Sequence, residues 1–137
     1  MEVIPKLQAC LDDERPDLAV SEWLTYFWNH SPQTVSSNTF MSAYLTDQFL
    51  QIVNMDGLAS FFELGENEVQ HTISGLTAMG LDDIVAAIEK SKSLDESSAE
   101  FEANQQKLML ASGEIEQATH RYIRANLAEF EAFENCQ

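Results

Sequence analysis

The sequence predicts an all-α fold. Apolar residues recur at threes and fours almost throughout. No stretch shows the period-two alternation of a half-buried strand. Ser, Asn, Asp and Gly fall where such helices would start and stop. At 137 residues and 45 % hydrophobic, one compact domain of about six to eight helices over residues 1–137 is expected.

The elements follow in order. Residues 6–14 suit one helix. Pro16 fits the first turn of a second that carries Leu18, Trp23, Leu24, Phe27 and Trp28. Pro32 to Thr39 reads as a loop. Phe40, Met41, Tyr44, Leu45, Phe49, Ile52 and Val53 mark a long helix, with Ser36, Ser37, Asn38 and Thr39 as candidate caps. Asn54-Met55-Asp56-Gly57 breaks it, and Leu58, Phe61 and Phe62 form a short apolar turn. Val69, Ile73, Leu76 and Met79 make a helix that Gly80 ends. Asp82 and Asp83 open the next, with Ile84, Val85 and Ile88 inward. Asp95 is positioned to cap a helix through Phe101 and Leu108. Gly113 divides this from a final helix running from Ile115 through Ala118, Tyr122, Ile123, Leu127 and Phe130 to Phe133.

The charge is the most informative feature. There are 23 Asp and Glu against 7 Lys and Arg, a net charge of −16. Direct contact with DNA, RNA or an anionic bilayer is therefore not expected, because each needs a basic face. Apolar runs are too short to span a membrane. The start, Met1-Glu2-Val3-Ile4-Pro5-Lys6, lacks the pattern of a secretory signal. Cys10 and Cys136 leave two readings open: a bond between the ends, or two free thiols in a reducing compartment. The second is adopted, with a cytoplasmic location.

No cofactor, metal or enzymatic motif stands out. His30, His71 and His120 are far apart, and no nucleophile elbow, phosphate loop or dinucleotide fingerprint occurs. Asn54, Asp56, Gly57 and Glu63 fall at positions three, five, six and twelve of a calcium-loop register, but position one is Ile52. The chain is expected not to be an enzyme.

Between Arg15 and Lys90 there is no Lys or Arg, while ten acids fall in that stretch. Few acids find a base one helical turn away; Glu2–Lys6, Asp12–Arg15 and Glu89–Lys92 are among those that do. A chain merely keeping itself soluble would interleave signs. First-turn acids such as Glu66, Asp82 and Asp83 complement the helix dipole. Glu129, Glu131 and Glu134 fall near the end of the expected final helix, where folding gives negative charge no reward. Asp12, Asp13, Glu14 and Asp17 form another cluster. Carboxylates on rigid helices lie about 5–6 Å apart at Cβ, and side-chain reach brings them to phosphate-like spacings. Asp12, Asp13, Glu14, Asp17, Glu63, Glu66, Asp82, Asp83, Glu129, Glu131 and Glu134 are thus the candidate phosphate substitutes.

Three blocks then resemble a known family. Gln51 to Phe62 resembles the Asn-Asn-Gly-Gly-Phe-x-Gln-Phe-Phe signature of the bacterial DNA mimic protein domain family. Asp56, Leu58 and Ser60 depart from that signature. Thr72 to Val85 resembles its helix–glycine–helix segment, and Tyr122 to Phe130 its closing Tyr-Ile-Arg-Ala-His-x-x-Glu-Phe pattern. The resemblance covers roughly residues 38–133. It implies an all-α domain, mimicry of DNA and a homodimer. The partner expected is a basic DNA-binding protein: a repressor, a nuclease or a defence complex. An immunity or adaptor protein that binds a basic partner without imitating DNA is the alternative. Asn54, Gly57, Phe61 and Phe62 are expected to organise the helix break.

Overall fold

The computed structural model describes residues 4–135. Glu2 and Cys136 lie outside them, and with them the Glu2–Lys6 pair and the Cys10–Cys136 question. The described residues form nine α-helices, seven of them longer than two turns, and no strand. They are α1 (Leu7–Leu11), α2 (Pro16–His30), α3 (Asn38–Asp56), α4 (Leu58–Phe62), α5 (Glu66–Ala78), α6 (Asp82–Lys92), α7 (Ala99–Leu110), α8 (Ser112–Ala125) and α9 (Leu127–Asn135). Pro32–Ser36, expected as loop, coils into a 3-10 turn.

Caps and turn residues explain most boundaries. Ser37 Oγ accepts the Phe40 N–H (3.1 Å) and starts α3. Gly57 ends it with φ +93°, a conformation that disfavours a side chain. The Leu58 N–H beyond is then satisfied by Gln105 Oε1 of α7 at 2.9 Å. At the end of α5, Gly80 (φ +77°) closes a Schellman motif, with Leu81 N–H donating to Leu76 O at 3.0 Å.

Four boundaries differ from the sequence reading, each for a local reason. The first helix stops at Leu11 because Asp13 Oδ1 takes the Arg15 N–H (2.9 Å), turning the chain just ahead of Pro16. Ser98, not Asp95, caps α7 by accepting the Phe101 N–H at 3.1 Å. Asp95 instead accepts from the Ser97 N–H and hydroxyl. The break before α8 falls at Ala111, and Gly113 lies inside the helix. The final helix is in fact two. Asn126 Nδ2 donates to Tyr122 O (2.9 Å), and this side-chain bond ends α8 where apolar spacing alone would continue it.

Two apolar centres result. In the first, Trp23 packs against Phe27, Phe40 and Phe130, with ring centroids 4.4, 6.3 and 6.3 Å away. Leu7, Leu24 and Ile123 close around them. In the second, Phe49 meets Phe61 edge-on at 4.8 Å, amid Leu58, Leu76, Ile88, Phe101, Leu108 and Ile115. Side chains buried this fully each contribute about 1.5–3 kcal/mol. Both α3 and α8 feed both centres. Leu18, part of the apolar pattern of α2, is 54 % exposed.

Candidate functional site

The acids of the α1–α2 turn stand beside the end of α8. Asp12, Asp13 and Glu14 are exposed. Asp12 Oδ1 lies 3.3 Å from Arg124 Nη2, which also donates to Leu11 O at 3.1 Å. The Asp12–Arg15 pair expected from spacing does not form. Arg15 turns to Asp17 with two hydrogen bonds (3.2 and 3.0 Å), and these hold the Asp17 carboxyl below its ordinary range. The Glu14 carboxylate makes no hydrogen bond or ion pair among the described residues.

On α9 the structure corrects two readings. Because the chain breaks at Asn126, Glu129 sits in the first turn of α9, where the helix dipole favours it. Glu134 is occupied internally. Its Oε2 accepts the Leu7 N–H at 2.8 Å and the Trp23 Nε1–H at 2.9 Å. It therefore tethers α9 to the start of α1 and to the indole at the centre of the first core. Folding supplies the reason for this acid that its place in the sequence concealed. Glu131 is half-buried and bonds to no described side chain. The two ends of the chain are thus brought together. Burial pushes the Cys10 thiol up, and the nearby carboxylates of Glu134, Asp13 and Glu22 push it further.

The remaining candidates lie on the second core. Glu63 follows α4, is exposed and bonds to no described side chain. Glu66 opens α5, accepts from Gln70 (3.0 Å) and lies 3.5 Å from Lys92 at the end of α6. Lys92 also meets Glu89 at 3.6 Å, as the spacing predicts. Asp82 and Asp83 are exposed at the other end of α6, about 15 Å along the helix from Lys92. Asn54 and Asp56 belong to α3 itself, so the calcium-like register is wound into helix rather than loop. There Asn54 Nδ2 donates to Ser112 Oγ (3.1 Å), pinning the motif to the start of α8.

Ion pairing is sparse. Among the described residues there are four salt bridges, made by Arg15, Lys92 and Arg124. Lys6, Lys90, Lys107 and Arg121 are exposed and take no part in them.

A further group of acids, of which the sequence reading had singled out only Asp17, meets in one cleft. A cleft of about 380 Å3 between α2, α3 and α8 is lined by Asp17, Glu22, Asp47 and Glu116, with His120, Leu18 and Met55. Asp47 Oδ2 accepts from Ser21 Oγ of α2 (2.8 Å) and from Gln51 Nε2 (3.0 Å). Burial nevertheless raises its pKa to about 6. Burial and the Asp17 carboxylate raise Glu116, while burial and Arg124 lower His120. The one signal available beforehand was an acid set in the apolar middle of α3 with Gln51 a turn later.

No curated protein and no solved structure matches this chain. The family described as DMP19-like protein matches residues 37–135, from the cap of α3 to the last residue of α9. That span takes in all three sequence blocks and leaves α1 and α2 outside. The chain belongs to the DMP19-like protein family.

Proposed function

We propose that this protein is an acidic DNA mimic that binds a basic DNA-binding protein and inhibits it, and that it is not an enzyme. Carboxylates held on helices take the place of phosphates. The observation that carries the reading is the uncompensated charge: 23 acids face 7 bases, and only four ion pairs form among the described residues. Membership of the DMP19-like family supports it. Two groups of acids are assigned to the role. One comprises Asp12, Asp13, Glu14, Asp17, Glu129 and Glu131 around the joined ends of the chain. The other comprises the acids on the helices of the second core, Glu63 and Glu66 around α5 and Asp82 and Asp83 at the start of α6. Glu134 serves the fold instead. Carboxylates on helices lose little freedom on binding, so the partner meets a preorganised surface. A cytoplasmic setting and pairing of two copies belong to the same proposal.

The test is competition. The immobilised full chain captures its partner, and duplex DNA is added. Displacement by DNA, with affinity falling steeply as salt rises, is expected. Indifference to DNA refutes mimicry and leaves an ordinary acidic interaction protein. Charge reversal then locates the face: Glu14→Lys with Glu131→Lys on one group, Glu63→Lys with Asp83→Lys on the other. At least one pair must lose capture while the helical circular dichroism stays unchanged.

A further inference from the structure

We propose that the cleft between α2, α3 and α8 receives an arginine side chain, together with a neighbouring aliphatic residue, from an exposed basic helix of the partner. The proposal rests on the partner being basic, as in the reading above, and adds how that partner is anchored.

Charge complementarity is the first argument. Carboxylates reach the cleft from three helices: Asp17 and Glu22 from α2, Asp47 from α3 and Glu116 from α8. Among the described residues no Lys or Arg lines it. Arg15 stands nearby but is already bound to Asp17. His120 has its neutral form favoured by burial and by Arg124, so it does not oppose an incoming cation.

The second argument is what Asp47 leaves open. Both of its hydrogen bonds fall on Oδ2, and Oδ1 accepts none from the described residues. A recessed, fixed carboxylate with one free oxygen suits a donor with several N–H groups. Guanidinium supplies these in a planar fork and is more weakly hydrated than an ammonium group. The described acids do not group as a metal site would require.

The third argument is the lip. Leu18 of α2 is 54 % exposed and Met55 of α3 is 80 % exposed, and both line the cleft. Solvent-facing leucine and methionine beside carboxylates accept the aliphatic stem of arginine and an apolar neighbour on the same helical face. One wall, α2, lies outside the residues that match the family.

The probe is an amphipathic peptide with arginines one turn apart beside leucines, compared with its lysine and citrulline counterparts. Binding to the full 15N-labelled chain is followed by amide shifts. The arginine peptide is expected to move Ser21, Asp47, Gln51 and Glu116, the lysine peptide to bind more weakly, and the citrulline peptide not to bind. Asp47→Asn with Glu116→Gln should weaken binding about tenfold, whereas Glu63→Gln with Asp83→Asn should change it less than about twofold. Met55→Ser, which alters no charge, should weaken it severalfold. Equal losses in both acid pairs, or shifts spread over other faces, overturn the anchor and leave only diffuse attraction. No binding at millimolar peptide also overturns it, and equal binding of the lysine peptide overturns the choice of arginine. None of these results bears on displacement of the partner by DNA, which tests the mimicry itself.

Discussion

Asp47→Asn should stabilise the protein, and only above mildly acidic pH. The carboxylate is buried enough that its pKa rises from 3.8 to about 6. A raised acid holds its proton more tightly in the folded chain than in the unfolded one. The benefit is whole below pH 3.8 and is lost as pH climbs through 6. At pH 7.5 the ionised group therefore weighs against folding by about 3 kcal/mol, from roughly two pKa units at 1.36 kcal/mol each. Asparagine keeps a carbonyl oxygen for the Ser21 and Gln51 donors, and its amide replaces the oxygen that accepts nothing. Urea unfolding followed by tryptophan fluorescence at pH 4, 5, 6, 7 and 8 measures the difference. The variant should match the parent at pH 4, diverge through pH 5–6, and exceed it by about 1–3 kcal/mol at pH 8. A constant difference across that range, or a less stable variant at pH 8, would refute the assignment of burial as the dominant effect.

Other perturbations have equally definite outcomes. Glu134→Ala strips the acceptor from the Leu7 N–H and the Trp23 indole and should cost about 2–4 kcal/mol in urea unfolding. Glu134→Gln retains an oxygen and should lose less. Gly75→Ala places a methyl group 3.0 Å from Ser42 Cα and 3.1 Å from its carbonyl oxygen, where α3 and α5 touch. A loss of about 1–3 kcal/mol is expected, and an unchanged urea midpoint would show that the two helices separate freely. With a net charge of −16, raising NaCl from about 0.02 to about 0.3 M should increase the melting temperature by screening self-repulsion. A flat response would mean that the carboxylates are too far apart to repel.

Periodicity made most of the helices legible, because Phe40 to Val53, Val69 to Met79 and Ile84 to Ile88 each bury one face. It failed at Asn126 because Ile123, Leu127 and Phe130 keep helical spacing across the break. Asn126 leaves the helical conformation there, with its side chain bonded back to Tyr122 O. It failed at Leu18 because the inward face of α2 is set by Val20, Trp23, Leu24 and Phe27, a register that leaves Leu18 outside. The acids divide the same way. Asp82 and Asp83 open α6 as the local reading has them, whereas Glu14, read as helical, falls in the turn after α1. Glu134 and Asp47 acquire their roles from Leu7, Trp23 and Ser21, up to 127 positions away. No window of sequence brings those partners together. Arg124–Asp12 is another such pair, 112 positions apart.

The first apolar centre has a practical corollary. Phe40, Ile123 and Phe130 come from the stretch that matches the family, yet they are covered by Leu7, Trp23, Leu24 and Phe27 from outside it. A fragment cut to residues 37–135 would carry a bare aromatic shelf into water. Such a fragment should clump or gather detergent, and pull-downs with it would report stickiness rather than recognition.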